Sequence, residues 1–274
     1  MTPPESESAG RRLLRFMQEV GSFLSYRWHP KSGPVTNWGP NSFLDATWNY
    51  AGDLQDWIVR FPVSATFKRN TSVFYRHALI SETVSGVVLD QHEDLFQAST
   101  SALRWLDVNL FGSFGTRPNY YPTAGLVPFL GDFQDWNVGV TVKPFTRLSV
   151  SQTALWSSLA GRDRTPAAGT DIFDNVLLRT RANYQFTRAW SLRTILDYQA
   201  LDPNPAVVDL ERSRRVVADV LLTWLAHPGT AIYAGYTDGY DELQVDPTRP
   251  AFETGTLRST GRQVFVKASW LLRF

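Results

Sequence analysis

The sequence predicts an all-β protein, an antiparallel barrel that crosses a membrane with tilted strands, and three observations predict it. Apolar and polar side chains alternate at period two over segments of about ten residues, the length a tilted strand needs to span the hydrocarbon layer. No apolar run reaches the roughly eighteen residues that a membrane-spanning helix requires. Short connections alternate with longer polar ones, the asymmetry of barrels with tight turns at one end and loops at the other.

Taken in order, a first strand is expected near residues 14–28, where Leu14, Phe16, Val20, Leu24, Tyr26 and Trp28 share one parity. Weaker alternation marks 44–50 and 57–67, and Pro62 in the second removes a ladder donor, so a bulge or a rim position is expected there. The segment 72–80 is mixed and reads as a strand on the weakest pattern, followed by strands at 96–102 and 106–114. Trp136, Val138, Val140 and Val142 then oppose Asp135, Asn137, Thr141 and Lys143, with a further strand at 148–156. Val176, Leu178, Ala182, Tyr184 and Phe186 oppose Asn175, Arg179, Arg181, Asn183 and Gln185, and Trp190, Leu192, Leu196 and Tyr198 oppose Ser191, Arg193, Asp197 and Gln199. Val216, Ala218, Val220, Leu222 and Trp224 form another apolar row, 232–236 is a shorter one, and Val264, Val266, Ala268, Trp270, Leu272 and Phe274 close the chain. Such strands place one parity against lipid and the other in a wet or packed lumen.

The reading comes to about 13 strands. Because single-chain bacterial barrels close with an even number, the expected architecture is an N-terminally truncated part of a larger even-stranded barrel of the outer-membrane type. The tight connections are 67–71, 103–105, 144–146, 187–189 and 227–229; the long ones are 82–94, 116–131, 161–171, 202–213 and 238–260. Two connections break the rule, 29–40 being long among the tight turns and 51–55 short among the loops. Residues 1–10 are polar and acidic without the basic and apolar regions of a secretory signal. They read as a disordered stump, with the barrel occupying 11–274 and the start read as a truncated frame or the remnant of a longer polypeptide.

Composition narrows the functional classes. With 27 basic and 26 acidic side chains interspersed, there is no basic face for nucleic acid. The absence of cysteine removes disulfides, thiolate metal sites and thiol nucleophiles together. Ten Trp, ten Tyr and 17 Phe suit the two aromatic girdles of a membrane barrel. Pattern and composition leave outer-membrane lipid and a small solute as the expected partners, with no cofactor.

From about residue 183 onward the chain carries Asn183-Tyr184-Gln185-Phe186-Thr187-Arg188, Ser191-Leu192-Arg193, Leu221-Leu222-Thr223-Trp224, His227-Pro228-Gly229-Thr230, Tyr233-Ala234-Gly235-Tyr236 and Val264-Phe265-Val266-Lys267. On these strand-and-turn stretches it resembles a bacterial family, the domain of unknown function 5916, whose members carry a family 9 carbohydrate-binding-like module ahead of a membrane barrel. The resemblance implies an architecture, an outer-membrane location and, through the module, a glycan as an alternative partner to the small solute, and no reaction. Residues 1–10 do not resemble the glycan-binding module. The terminal Phe274, with Val266, Ala268, Trp270 and Leu272 before it, resembles the sorting signal that barrels present to their assembly machinery.

The candidate functional cluster is the set of charges on the lumen parity: Arg60, Asp107, Asp135, Lys143, Arg179, Arg181, Arg193, Asp197, Asp219, Lys267 and Arg273. Such charges form selectivity rings or satisfy one another as a salt-bridged plug, and the sequence leaves both open. The four histidines form no closely spaced metal pair. His227 reads as a turn residue before Pro228-Gly229, and His92, in the acidic stretch 90–94, as part of a solvated loop, as does 238–242, where calcium is the sharper alternative. The expectation is a non-enzymatic pore or membrane anchor. Two alternatives are a barrel lipid hydrolase using His77 with Ser72 or Ser81, and a soluble all-β protein.

Overall fold

The computed structural model describes residues 17–49, 51–227, 229–246 and 249–270. These residues form thirteen strands and no helix. The strands are β1 (Met17–Ser25), β2 (Val35–Asn49), β3 (Leu54–Phe67), β4 (Thr71–Val84), β5 (Val87–Leu103), β6 (Leu106–Pro118) and β7 (Leu130–Phe145). They continue as β8 (Leu148–Gly161), β9 (Asp171–Gln185), β10 (Trp190–Pro203), β11 (Ser213–His227), β12 (Thr230–Asp246) and β13 (Arg249–Trp270). Each strand pairs antiparallel with its neighbours in sequence, giving one sheet in the order β1 to β13. This is the all-β, antiparallel barrel-type meander that the alternation predicts. Both ends of the strand order are odd-numbered, so β1 and β13 run in the same direction, and a ladder formed directly between them would be parallel.

Register carries one parity around the whole sheet. Asn137 lies opposite Phe111 on one side and Leu155 on the other, Phe111 lies opposite Gln97, and Gln97 opposite Phe74. The opposite parity holds the exposed large apolar side chains, among them Val63, Val73, Phe96, Leu110, Trp156, Leu178, Leu196 and Val220. We call this face outer. Where it carries polar atoms they satisfy one another, as when Thr180 donates to Gln152 at 2.5 Å. Trp136 lies so close over Gly112 that a Cβ there would meet its ring at 2.5 Å, so the glycine seats this outer-face indole.

At one end the strands turn tightly at 68–70, 104–105, 146–147 and 186–189. At the other, loops of 119–129, 162–170 and 204–212 fold over the inner face. There they bury Phe129, Phe133, Leu159, Ala167, Ile172, Val207 and Val208 in a small core. Asn119 donates to the Val207 carbonyl at 2.7 Å, Thr123 Oγ1 donates to Pro205 at 2.9 Å, and the Asp209 amide donates to Tyr121 at 2.8 Å. These bonds tie the β6–β7 loop to the β10–β11 loop.

Two expected loops are not loops. The stretch 82–94 continues β4 and β5 into a hairpin closed by Ser85 and Gly86, whose φ values of 51° and 80° are those of a two-residue turn with both positions left-handed. The stretch 238–260 belongs mostly to β12 and β13, which pair from Thr230↔Trp270 to Asp246↔Arg249. His92 and the run 238–242 therefore sit in strands, their side chains alternating between faces, and the loop reading of both is corrected. Strands of 14 to 17 residues exceed the roughly ten that crossing demands, and the stretches read as loops carry polar pairs such as Gln91 with Glu82 and Ser259 with Asp238. Pro62 makes no bulge. The β2–β3 ladder passes from Pro40↔Val63 to Phe43↔Arg60 in unchanged register, skipping the residues between.

Candidate functional site

The inner face is built by the parity rule, and every described member of the expected charged cluster lies on it. Because facing residues on one side of an antiparallel pair have Cβ atoms about 5 Å apart, opposite charges on adjacent strands meet directly. Lys143 Nζ lies 2.7 Å from Asp107. Arg179 grips Asp197 with two bonds, 2.6 Å from Nε and 3.0 Å from Nη2. Asp135 takes Arg117 at 2.8 Å and Ser157 Oγ at 2.6 Å, and Asp219 accepts from Thr237 Oγ1. Arg60 stacks over the Phe43 ring at 5.3 Å, and its buried Nε finds no acceptor. Arg181, Arg193 and Lys267 make no ion pair among the described residues. Arg273 lies outside the described residues, as do Leu272 and Phe274 of the terminal signal; Val266, Ala268 and Trp270 do stand together on the outer face of β13.

The structure adds charges that the sequence reading passed over. Arg76 pairs with Glu93 at 2.6 Å, and Ser113 donates to the same oxygen at 2.9 Å. Glu82 accepts from Gln91 at 2.7 Å and from Tyr120 at 2.6 Å. Burial, then the bond to Glu82, holds the Tyr120 hydroxyl well above the usual phenol range, so this loop residue stays a neutral donor at every physiological pH. Glu82 and Glu93 were hidden by reading their segment as a loop. Parity counted back from Ser99 and Gln97 would have placed Glu93 inward.

Two carboxylates on the outer face carry their own donors. Asp94 accepts from Tyr75 at 2.6 Å and meets His77 Nδ1 at 2.9 Å. Asp238 is held by Tyr236 at 2.8 Å, Arg262 at 3.0 Å, Tyr240 at 3.1 Å and Ser259 at 3.2 Å. On an apolar outer surface an unpaired carboxylate would be costly, and tyrosines at such positions combine an apolar ring with a polar tip. Neither expected serine serves His77. Ser72 projects from the inner face and bonds Ser99 at 2.8 Å, and Ser81 stands four residues further along β4, roughly 13 Å at strand rise. No group of three or more His, Asp or Glu among the described residues could hold a metal ion.

A cavity of about 750 Å³ opens on the inner face at the tight-turn end, between the turns 104–105 and 146–147, the starts of β8 and β10 and the end of β9. Arg104, Lys143, Arg147 and Arg193 line it. A smaller one of about 200 Å³ lies under the docked loops, against Phe133, Leu159 and Val208.

No protein-family model and no curated protein matches the chain. Among solved structures it is similar to OmpT, an outer membrane protein of Vibrio cholerae. The in-vitro folded form is 7% identical with a TM-score of 0.38, covering 93% of this chain and 95% of that chain. The form expressed in the outer membrane is 8% identical with a TM-score of 0.39, covering 93% and 96%. Likeness of this degree carries no inference about what this chain does.

Proposed function

We propose that the chain is a non-enzymatic, integral barrel of a bacterial outer membrane whose inner face forms a polar path for a small solute, narrowed at one mouth by the docked loops. The observation that carries this reading is the segregation of the two faces. Large apolar side chains stand exposed on one parity, Phe61 at 50% and Leu196 at 50%, while Lys143–Asp107, Arg179–Asp197 and Arg117–Asp135 stand on the other. A soluble sheet gains nothing by exposing that apolar row to water; a bilayer makes it the favourable surface. Against the hydrolase reading stands His77, whose bond goes to Asp94 and whose serine partners are absent.

Reconstitution into planar bilayers tests the pore directly. Discrete conductance steps are expected; folded protein that inserts and passes no current would make it a closed anchor, the role that the resemblance to module-bearing barrels implies. Phospholipid turnover lost on His77→Ala would overturn the non-enzymatic reading.

A further inference from the structure

We propose that the cavity at the tight-turn end is an anion-binding vestibule for a small solute carrying a phosphate or carboxylate group. Four cations converge on it from separate elements: Arg104 from the β5–β6 turn, Lys143 from β7, Arg147 from the β7–β8 turn and Arg193 from β10. One carboxylate, Asp107, answers them, and it is committed to Lys143 at 2.7 Å. Arg147 spends one bond on the Phe186 carbonyl at 3.3 Å, which fixes its head beside the cavity and leaves its charge unneutralised. Arg104 and Arg193 have no acidic partner among the described residues. Gathered around a concave wall, like charges repel one another in the empty site and focus a positive potential that an anion relieves. Neutral hydrogen-bonding groups such as Asn183, Gln185 and Ser191 share the rest of the wall with apolar ones such as Trp105, Phe145 and Leu148. Asn183 faces Arg193 across the β9–β10 ladder, so a solute whose oxyanion meets the guanidinium can place a hydroxyl against the amide. The volume falls within the range of small-molecule sites.

The opposite mouth is balanced in charge. There Glu82 is held by Gln91 and Tyr120 and by no cation, and Glu93 and Asp135 each face one arginine. The basic vestibule is therefore a property of one end, and the inner face is not uniformly charged. The proposal relies on the pore reading for the solute's route, but binding does not depend on conduction.

Titration calorimetry of the detergent-folded full chain with inorganic phosphate tests it, alongside zero-current potentials of the same protein in bilayers under a salt gradient. Saturable binding is expected, weakened by about tenfold or more in Arg104→Gln/Arg193→Gln, since each charged hydrogen bond lost is worth at least that. Arg164→Gln, in the loop at the far end, removes a charge without touching the cavity and is expected to bind as the parent does. No saturable heat, or equal weakening by both variants, would overturn the vestibule. Binding that depends on Arg104 and Arg193 in a protein that passes no current would uphold the vestibule and overturn the pore.

Discussion

Replacing Val140 by arginine is expected to destabilise the lipid-folded protein by about 2–4 kcal/mol, the cost of a cation on the lipid face near the bilayer midplane. Val140 sits on the outer parity of β7, with Val108 and Gln152 as its register neighbours. Gln152 offers the new guanidinium little, because its amide oxygen already accepts from Thr180 and its nitrogen donates to the Thr153 carbonyl. Asn137→Arg, three residues away and inward, adds the same charge among polar neighbours and is expected to cost far less. Urea titration of folding into liposomes reads both. The difference between the two variants is the informative quantity, because strand propensity spans only about 1 kcal/mol and the larger effect comes from the solvent that the added charge meets.

Truncating Phe133 to alanine is expected to cost about 3–5 kcal/mol, the usual consequence of removing a buried phenyl ring. Its ring is 2% exposed, packs in the core under the loops, and carries the Arg117 guanidinium at 3.8 Å. Removing it takes the floor from the cap and loosens the arginine that Asp135 holds. The loss should be felt first in the loops, so proteolytic nicking within 119–129 and 204–212 should rise while strand content by circular dichroism holds. If single-channel conductance rises in the same variant, the docked loops are what narrow that mouth.

Much of this structure is written in parity, and the reason is physical. Each strand must answer two environments at every second residue, so lipid and lumen imprint period two on the chain. That is why the rows through Val138, Leu178 and Val220, and the inward positions of Lys143, Arg179 and Asp219, were readable residue by residue. Where the environment is not two-sided, the imprint fades. Residues 82–94 carry Glu82, Asp90, Gln91, His92, Glu93 and Asp94 on both parities, and the stretch therefore resembles a loop. The Ser85-Gly86 pair between Val84 and Val87 was the available signal for a tight hairpin. The cap over Phe133 was invisible for another reason: Phe129, Ile172, Val207 and Val208 come from three separate segments without periodicity, and only folding brings them together. Partner choice was equally non-local. Asp135 looks free to pair with any inward cation until register sets it beside Arg117, eighteen residues upstream.

The absence of native cysteine allows the decisive measurement to be made one residue at a time. Single cysteines placed in turn from 136 to 142, each carrying a spin label in folded protein in liposomes, report access to lipid-soluble oxygen or to a water-soluble paramagnet. The structure predicts strict alternation, with positions 136, 138, 140 and 142 relaxed by oxygen and 137, 139 and 141 by the aqueous reagent. Uniform aqueous access along the segment, or alternation with the parities exchanged, would contradict a lipid-facing apolar row.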